Sequence, residues 1–123
     1  MTKMDDDAVD EEMLAELFDL LGGDPAGLIH ACELFLTDVP ARLGAAEEAL
    51  SDGRLEDVGR VAHSLRGSTG AFGARRISQL AERLEGCASQ GGPQPGALLA
   101  EMRVEFASFR TILESRLSSI TDG

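Results

Sequence analysis

The residues best suited to chemistry in this sequence surround His63 on one predicted helix. Arg66 follows it by one turn, and Gly59, Gly67 and Gly70 gather on the same side when the segment is wound at about 100° per residue. A glycine inside a helix costs about 1 kcal/mol relative to alanine. Three such glycines beside one imidazole therefore indicate that something must approach this histidine closely.

The same helix has a separate apolar face, roughly 130° away from the glycines. That face carries Leu55, Val58, Ala62, Leu65 and Thr69. Glycines that serve internal packing belong on the apolar face, whereas these lie off it. We therefore predict that the glycine side is exposed and open to a visiting molecule.

A histidine in this setting is suited to accept a phosphoryl group. Histidine ordinarily has a pKa of about 6.5, so a neutral, nucleophilic imidazole is available near neutral pH. The oxygens of an incoming phosphoryl group would lie where Arg66 can neutralise them, and phosphoryl transfer depends mainly on such positioning and electrostatics. The sequence therefore predicts that His63 is a phosphoacceptor.

Other chemistries lack the residues they need. The chain has two histidines and two cysteines, with no His-x-x-x-His or Cys-x-x-Cys spacing for zinc and no nucleotide-binding glycine loop after a strand. His30 lies about 170° from the apolar stripe of its helix and is predicted to be a surface residue. A metal or haem site built from His30 and His63 is a rival hypothesis without a third ligand. We expect no metal and no cofactor of the chain's own.

The charge balance argues against nucleic acid as a partner. The net charge is −11, whereas phosphate binding needs a surplus of basic residues on the binding face. Six of the eleven basic residues nevertheless fall between positions 54 and 83, which favours an acidic partner or a phosphate group near His63. These six are Arg54, Arg60, Arg66, Arg75, Arg76 and Arg83.

No segment predicts a membrane span or a signal peptide, because no run of about 18 apolar residues is present and the start is acidic. We expect a cytoplasmic protein without a membrane partner. Cys32 and Cys87 fall on apolar stripes far apart in the sequence, so both are predicted to be buried free thiols.

The elements that position the histidine are all predicted to be helices. An acidic flexible tail over residues 1–9 precedes a short helix that starts at the cap residue Asp10 and stops at Gly22-Gly23. The next helix begins at Asp24-Pro25 and keeps its apolar spacing past Pro40, which should kink it or split it in two.

The histidine helix is predicted to run from about Arg54 to Ala71. Two further amphipathic patterns span Ile77 to Ala88 and Leu99 to Ile120. A loop over Ser89 to Pro95 is predicted between them. No stretch alternates with period two. We predict an all-α protein with one domain over residues 10–121: an antiparallel up-down four-helix bundle with a short additional N-terminal helix.

The run His63-Ser64-Leu65-Arg66-Gly67-Ser68, followed by Gly70 and Phe72-Gly73-Ala74, resembles the signature of histidine-containing phosphotransfer (HPt) domains. That signature is His-x-Leu/Met-Lys/Arg-Gly-Ser/Ala, followed by a hydrophobic residue and Gly-Ala or Gly-Leu. The order of the predicted helices matches the four-helix bundle of that family over nearly the whole chain. Arg66 in place of the commoner lysine and Thr69 in place of a smaller residue are slight departures.

The resemblance implies that His63 takes a phosphoryl group from the aspartate of one receiver domain and passes it to another. It also implies that Arg66 assists transfer and that Gly67 lets the receiver approach. Counting along the match, the residue that would hydrogen-bond the other imidazole nitrogen is Glu85. Such a contact would fix the tautomer of His63 and raise its basicity.

The implied partners are receiver domains of a hybrid histidine kinase, a response regulator, or both, and these receivers would hold Mg²⁺. We expect a monomeric phosphocarrier without enzymatic activity of its own, docking its partner through Gly59, Arg60, Ser64, Gly67 and Gly70. The alternative is a non-catalytic helical interaction module that binds a partner on the same glycine-lined face.

Overall fold

A computed structural model of the chain describes residues 9–21, 24–88, 90 and 93–122. Five helices make up the regular structure of these residues, which contain no strand. They are α1 Glu11–Leu20, α2 Pro25–Ser51, α3 Leu55–Ala71, α4 Arg75–Ala88 and α5 Gln94–Asp122. The predicted all-α class is therefore confirmed.

The histidine helix α3 packs against α1, α2 and α4, while α5 packs against α2 and α4. Leucine, alanine and valine side chains fill most of the space between them. Phe35 of α2 stacks on Phe72 at the end of α3, with ring centroids 4.1 Å apart, and also contacts Phe106 and Phe109 of α5. Full burial of such side chains stabilises the fold by about 1.5–3 kcal/mol each.

Helix α1 begins as predicted, because the Asp10 carboxylate accepts a hydrogen bond from the Met13 N–H at 3.2 Å. Residues 1–8 of the predicted tail lie outside the described part of the chain. Val9, which was also assigned to that tail, is only 2% exposed and forms an isolated β-bridge with Ala74. Val9 therefore belongs to the folded domain and not to the predicted tail, since it contributes an apolar side chain to the core.

The turn between α3 and α4 requires glycine at position 73. Gly73 has φ +76°, and its carbonyl accepts the Asp10 N–H at 2.7 Å. A Cβ at this position would lie 2.7 Å from the Asp10 carbonyl oxygen, which is closer than a Cβ can approach without a clash. Both the backbone conformation and the contact with the start of α1 therefore depend on the absent side chain.

Helix α2 is a single helix of 27 residues that continues through Pro40. Proline removes one backbone hydrogen bond, but the apolar series on both sides of it stays buried, with Phe35, Val39 and Leu43 all in the core. The predicted alternative of two helices is wrong. Tertiary packing of the apolar face outweighs the local penalty.

The start of α5 differs from the prediction. The helix begins at Gln94, so Gln94 and Pro95 belong to it and not to the loop that precedes it. Proline fits the first turn of a helix because the N–H that it lacks has no partner there. None of the helices in the described part of the chain is long and apolar enough to cross a bilayer.

The two cysteines lie in different environments. Cys32 is fully buried as predicted, and burial raises the pKa of its thiol to about 11. Cys87 is only half-buried, and its Sγ lies 3.2 Å from Oε1 of Gln94, so the prediction of a buried thiol is wrong there. The early start of α5 is what places Gln94 beside it.

Candidate functional site

His63 points outward from the middle of α3, with 64% of its side chain exposed. The opposite face of the helix holds Val58, Ala62, Leu65 and Thr69, all buried. The Thr69 hydroxyl donates to the Leu65 carbonyl at 2.6 Å, so this polar side chain is satisfied inside the core. The amphipathic pattern of α3 thus fixes the outward direction of the imidazole.

Glu85 of α4 reaches His63 across the helix pair. Its Oε2 lies 2.8 Å from the imidazole Nδ1, and its Oε1 lies 3.4 Å from Nη1 of Arg66. An ionised carboxylate can only accept at this contact, so in the neutral imidazole Nδ1 carries the proton and Nε2 carries the free lone pair. The three side chains therefore leave one ring nitrogen available as a nucleophile.

Gly59 and Gly70 lie on the side of α3 that faces α4. A Cβ at Gly59 would lie 3.6 Å from Cβ of Ala88, and one at Gly70 would lie 3.4 Å from the Ser78 hydroxyl oxygen. Both glycines thus face α4, whereas the sequence analysis placed them on an open approach surface. For Gly70 the structure supports a packing role, since α4 occupies the space next to it.

Gly67 differs from the other two glycines. It is exposed, and a Cβ added to it would meet nothing within 4 Å. It lies one turn after His63, so the space beside the imidazole on that side is empty of the protein's own atoms. This geometry matches the predicted clearance for a partner.

Ser64 and Arg60, the other two predicted docking residues, are both engaged within the chain. The Ser64 hydroxyl accepts a hydrogen bond from Arg42 of α2, whose Nε also donates to Asp38 at 2.6 Å. Arg60 pairs with Asp57 at 2.5 Å, but 67% of its side chain remains exposed. Ser64 therefore turns towards α2, and Arg60 stays accessible to a partner.

An open groove lies beside the imidazole, between the first half of α3 and the last turns of α4. It is lined by Leu55, Glu56, Gly59, Arg60, His63, Glu85 and Ala88. Leu55, Glu56 and Ala88 were not among the predicted site residues. Helical spacing could have identified two of them, because Leu55 precedes Gly59 by one turn and Ala88 follows Glu85 by one turn.

The rival metal site gains no support from the structure. Across residues 9–21, 24–88, 90 and 93–122, no three His, Cys, Asp or Glu side chains lie together in a way that could hold a metal ion. His30 is exposed on the first turns of α2, as predicted. It belongs to no group with His63 that could supply a third ligand.

Comparisons with known proteins agree with this geometry. The family model of the Hpt domain matches residues 30–117. Among solved structures, the chain is similar to the crystal structure of histidine-containing phosphotransfer protein B (HptB) from Pseudomonas aeruginosa PAO1. The two share 26% sequence identity and a TM-score of 0.81, over 91% of this chain and 96% of that one. No curated protein sequence matches.

The chain belongs to the Hpt domain family, because the family match covers well over half of its length. It is a histidine phosphotransfer protein of a phosphorelay, as the sequence predicted. The alternative of an interaction module without phosphotransfer is not favoured. Hpt domains act as phosphocarriers that exchange phosphoryl groups with receiver domains of kinases and response regulators.

Proposed function

We propose that His63 carries the phosphoryl group, and that it carries it on Nε2. The observation behind this assignment is the 2.8 Å contact of Nδ1 with Glu85, combined with the 64% exposure of the imidazole. The contact occupies one ring nitrogen and leaves the other facing solvent. A buried ring, or one hydrogen-bonded at both nitrogens, would have no accessible lone pair to offer.

Transfer then proceeds by attack of the Nε2 lone pair on the phosphorus of an aspartyl phosphate. An N–P bond forms and the acyl-phosphate P–O bond breaks, which returns the carboxylate of the receiver. The ring keeps its Nδ1 proton and becomes positively charged, so no proton has to leave. The Glu85 carboxylate beside that proton stabilises the new charge. The return step reverses each of these changes.

Arg66 supplies the positive charge for the phosphoryl oxygens. Its contact with Glu85 is 3.4 Å long and uses one of five guanidinium N–H donors, so the others are available to the incoming group. The chain itself provides no metal in this scheme. We assign the Mg²⁺ of the reaction to the receiver domain, and no autokinase activity to this protein.

The receiver domain docks over His63 and the open space at Gly67. We further propose that α2 to α5 form an antiparallel up-down bundle, with α1 as the short additional helix at its side, and that the protein acts as a monomer. The short connections between successive helices support this order, since short links favour antiparallel neighbours.

Replacement of His63 by glutamine tests the site directly. A phosphorylated receiver domain should label the wild-type chain with an acid-labile phosphate, and His63→Gln should abolish this label while the helical circular dichroism stays intact. His30→Gln is the matched control and should be labelled like the wild type, because His30 is exposed on α2 away from Glu85. Persistence of the label in the His63 variant would refute the assignment.

A further inference from the structure

We propose that the groove beside His63 receives an apolar side chain of the receiver domain and thereby decides which side of the histidine the partner covers. We call it the α3–α4 groove and define it by Leu55, Gly59 and Ala88 on its floor and by Glu56 and Arg60 on its rim. The proposal rests on the proposed phosphotransfer function and adds a docking contact to it.

Continuity with the reacting atoms is the first argument. His63 and Glu85 line the same groove, so its opening begins at the imidazole. A receiver whose aspartyl phosphate comes within bonding distance of Nε2 must therefore cover the part of the groove nearest to His63. A partner that covers it without filling it would leave apolar surface and unused volume in the interface.

The shape of the floor follows from one absent side chain. At Gly59 an added Cβ would lie 3.6 Å from Cβ of Ala88, which is ordinary van der Waals contact. An alanine would thus have fitted between the helices, and it is a better helix former than glycine. Glycine at this position is not demanded by the helix pair itself. It leaves a depression that a visiting side chain can enter.

The chemistry of the lining indicates what enters. The floor is apolar, with a half-buried leucine and an alanine that is only 2% exposed. The rim is charged, since the side chain of Glu56 is 94% exposed and that of Arg60 is 67% exposed. An apolar centre with a polar rim is the arrangement in which a single anchoring side chain contributes most to protein binding. The fitting ligand is an apolar side chain flanked by polar groups.

The Gly67 side of the histidine is open. A Cβ added to Gly67 would find no atom within 4 Å, so this position supplies clearance. Binding contacts therefore concentrate on one side of His63, at the start of α3 and the end of α4. This asymmetry fixes the orientation of the receiver on the bundle.

Two variants test the groove against two phosphodonors. Gly59→Ala adds a methyl group to the floor, and Leu55→Ser removes apolar surface from it. The probes are potassium phosphoramidate, which labels histidine without docking, and the receiver domain that labels the wild type fastest in a screen of receivers from the same organism. Both variants should lower the ratio of receiver-dependent to phosphoramidate-dependent labelling, measured at low receiver concentration, by about tenfold.

The matched controls repeat the same chemical changes outside the groove. Gly86→Ala alters an α4 glycine whose added Cβ would meet nothing within 4 Å, and Leu34→Ser alters an α2 leucine that is 57% exposed. Both should keep the wild-type ratio, and urea unfolding should show all four variants folded.

Each outcome decides the proposal. An unchanged ratio in both groove variants overturns it, and so does an equal fall in both kinds of labelling, because the residues would then act on His63 and not on docking. If neither donor labels the wild-type chain, the proposed function fails and the groove proposal falls with it. A lowered ratio in the groove variants alone supports the proposal.

Discussion

The pair of helices α3 and α4 differs from the pair α2 and α5 in almost every kind of contact. In the first pair, Gly59 faces Ala88 and Gly70 faces Ser78, and the pair carries an exposed His63–Glu85 contact. The second pair meets through phenylalanine rings and through Arg103, which donates to both carboxylate oxygens of Glu47 at 2.5 and 2.8 Å. One pair provides space for a partner, while the other provides buried apolar area.

This division separates function from stability. Burial of large apolar groups stabilises a fold in proportion to the area removed from water, and the phenylalanines that meet between α2 and α5 are among the buried side chains. The groups around the imidazole are exposed or half-buried, so their replacement removes little buried area. We therefore expect variants of α2 and α5 to lose stability, and variants around the imidazole of α3 and α4 to lose phosphoryl transfer.

The largest expected effect is the loss of stability in Phe35→Ala. Phe35 is 4% exposed and contacts rings from α3 and α5. Removing it should lower the free energy of unfolding by about 3–5 kcal/mol, measured by urea denaturation. Phe35→Leu, which keeps most of the apolar volume, should cost less. A loss of stability in Phe35→Ala no greater than in an exposed variant such as Leu34→Ser would contradict the stabilising role of the rings between α2 and α5.

Gly67→Leu should impair phosphoryl transfer without lowering stability, in contrast to Phe35→Ala. The added side chain enters open space, and leucine is a better helix former than glycine, so stability should be unchanged or slightly higher. Transfer from the receiver domain should fall by about a hundredfold, because bulk beside His63 keeps the reacting atoms apart. Gly67→Ala is the graded control with a smaller loss. Normal transfer in the leucine variant would show that no partner approaches over this position.

Replacement of Glu85 separates orientation from charge. Glu85→Ala should slow transfer from the receiver by about tenfold or more, since the imidazole loses the acceptor for its Nδ1 proton. Glu85→Gln should be less impaired, because an amide oxygen can still accept that hydrogen bond. Single-turnover rates measure both, and nitrogen NMR of His63 reports the tautomer. Equal rates in wild type and Glu85→Ala would remove Glu85 from the mechanism.

The smallest expected effect concerns the ion pair between Glu47 of α2 and Arg103 of α5. The hydrogen bond from Arg103 lowers the pKa of Glu47 below its ordinary value of 4.5. A carboxylate with a lowered folded-state pKa contributes stability above its ordinary pKa and loses it as the pH falls through the folded-state value. Because both side chains are about 40% exposed, this contribution should be at most about 1 kcal/mol.

Urea unfolding of wild type and Glu47→Gln at a series of pH values tests this expectation. The difference between them should be constant at neutral pH and should shrink as the pH falls below 4.5. Glu114→Gln, which removes an exposed contact within α5, is the control and should show a smaller difference. If the difference in unfolding free energy between wild type and Glu47→Gln grew as the pH fell, the lowered pKa of Glu47 would be contradicted.

Much of the fold was predictable because helical periodicity and local capping agree. The cap at Asp10, the stop after Ser51 and the turn at Gly73 all lie where residue types dictate them. The continuous helix through Pro40 and the early start of α5 at Gln94 were not predictable in the same way. There, packing and the tolerance of proline in a first turn override the local signal.

Only those features of the site that depend on α3 alone were predictable from the residue pattern. The direction of His63 follows from the apolar face of α3, and the open space at Gly67 follows from its position on the other side. Whether a glycine faces solvent or a neighbouring helix depends on how α4 lies against α3, and periodicity within one segment contains no such information. Gly70 was placed on the open surface although α4 lies beside it, and the contribution of Ala88 to the groove was missed.

The bond between the Asp10 N–H and the Gly73 carbonyl joins the first helix to the turn between the two site helices through main-chain atoms alone. Such an anchor does not depend on the identity of any α1 side chain. This main-chain anchor can therefore persist through mutational drift along α1 in descendants of this sequence, provided that residue 73 remains glycine.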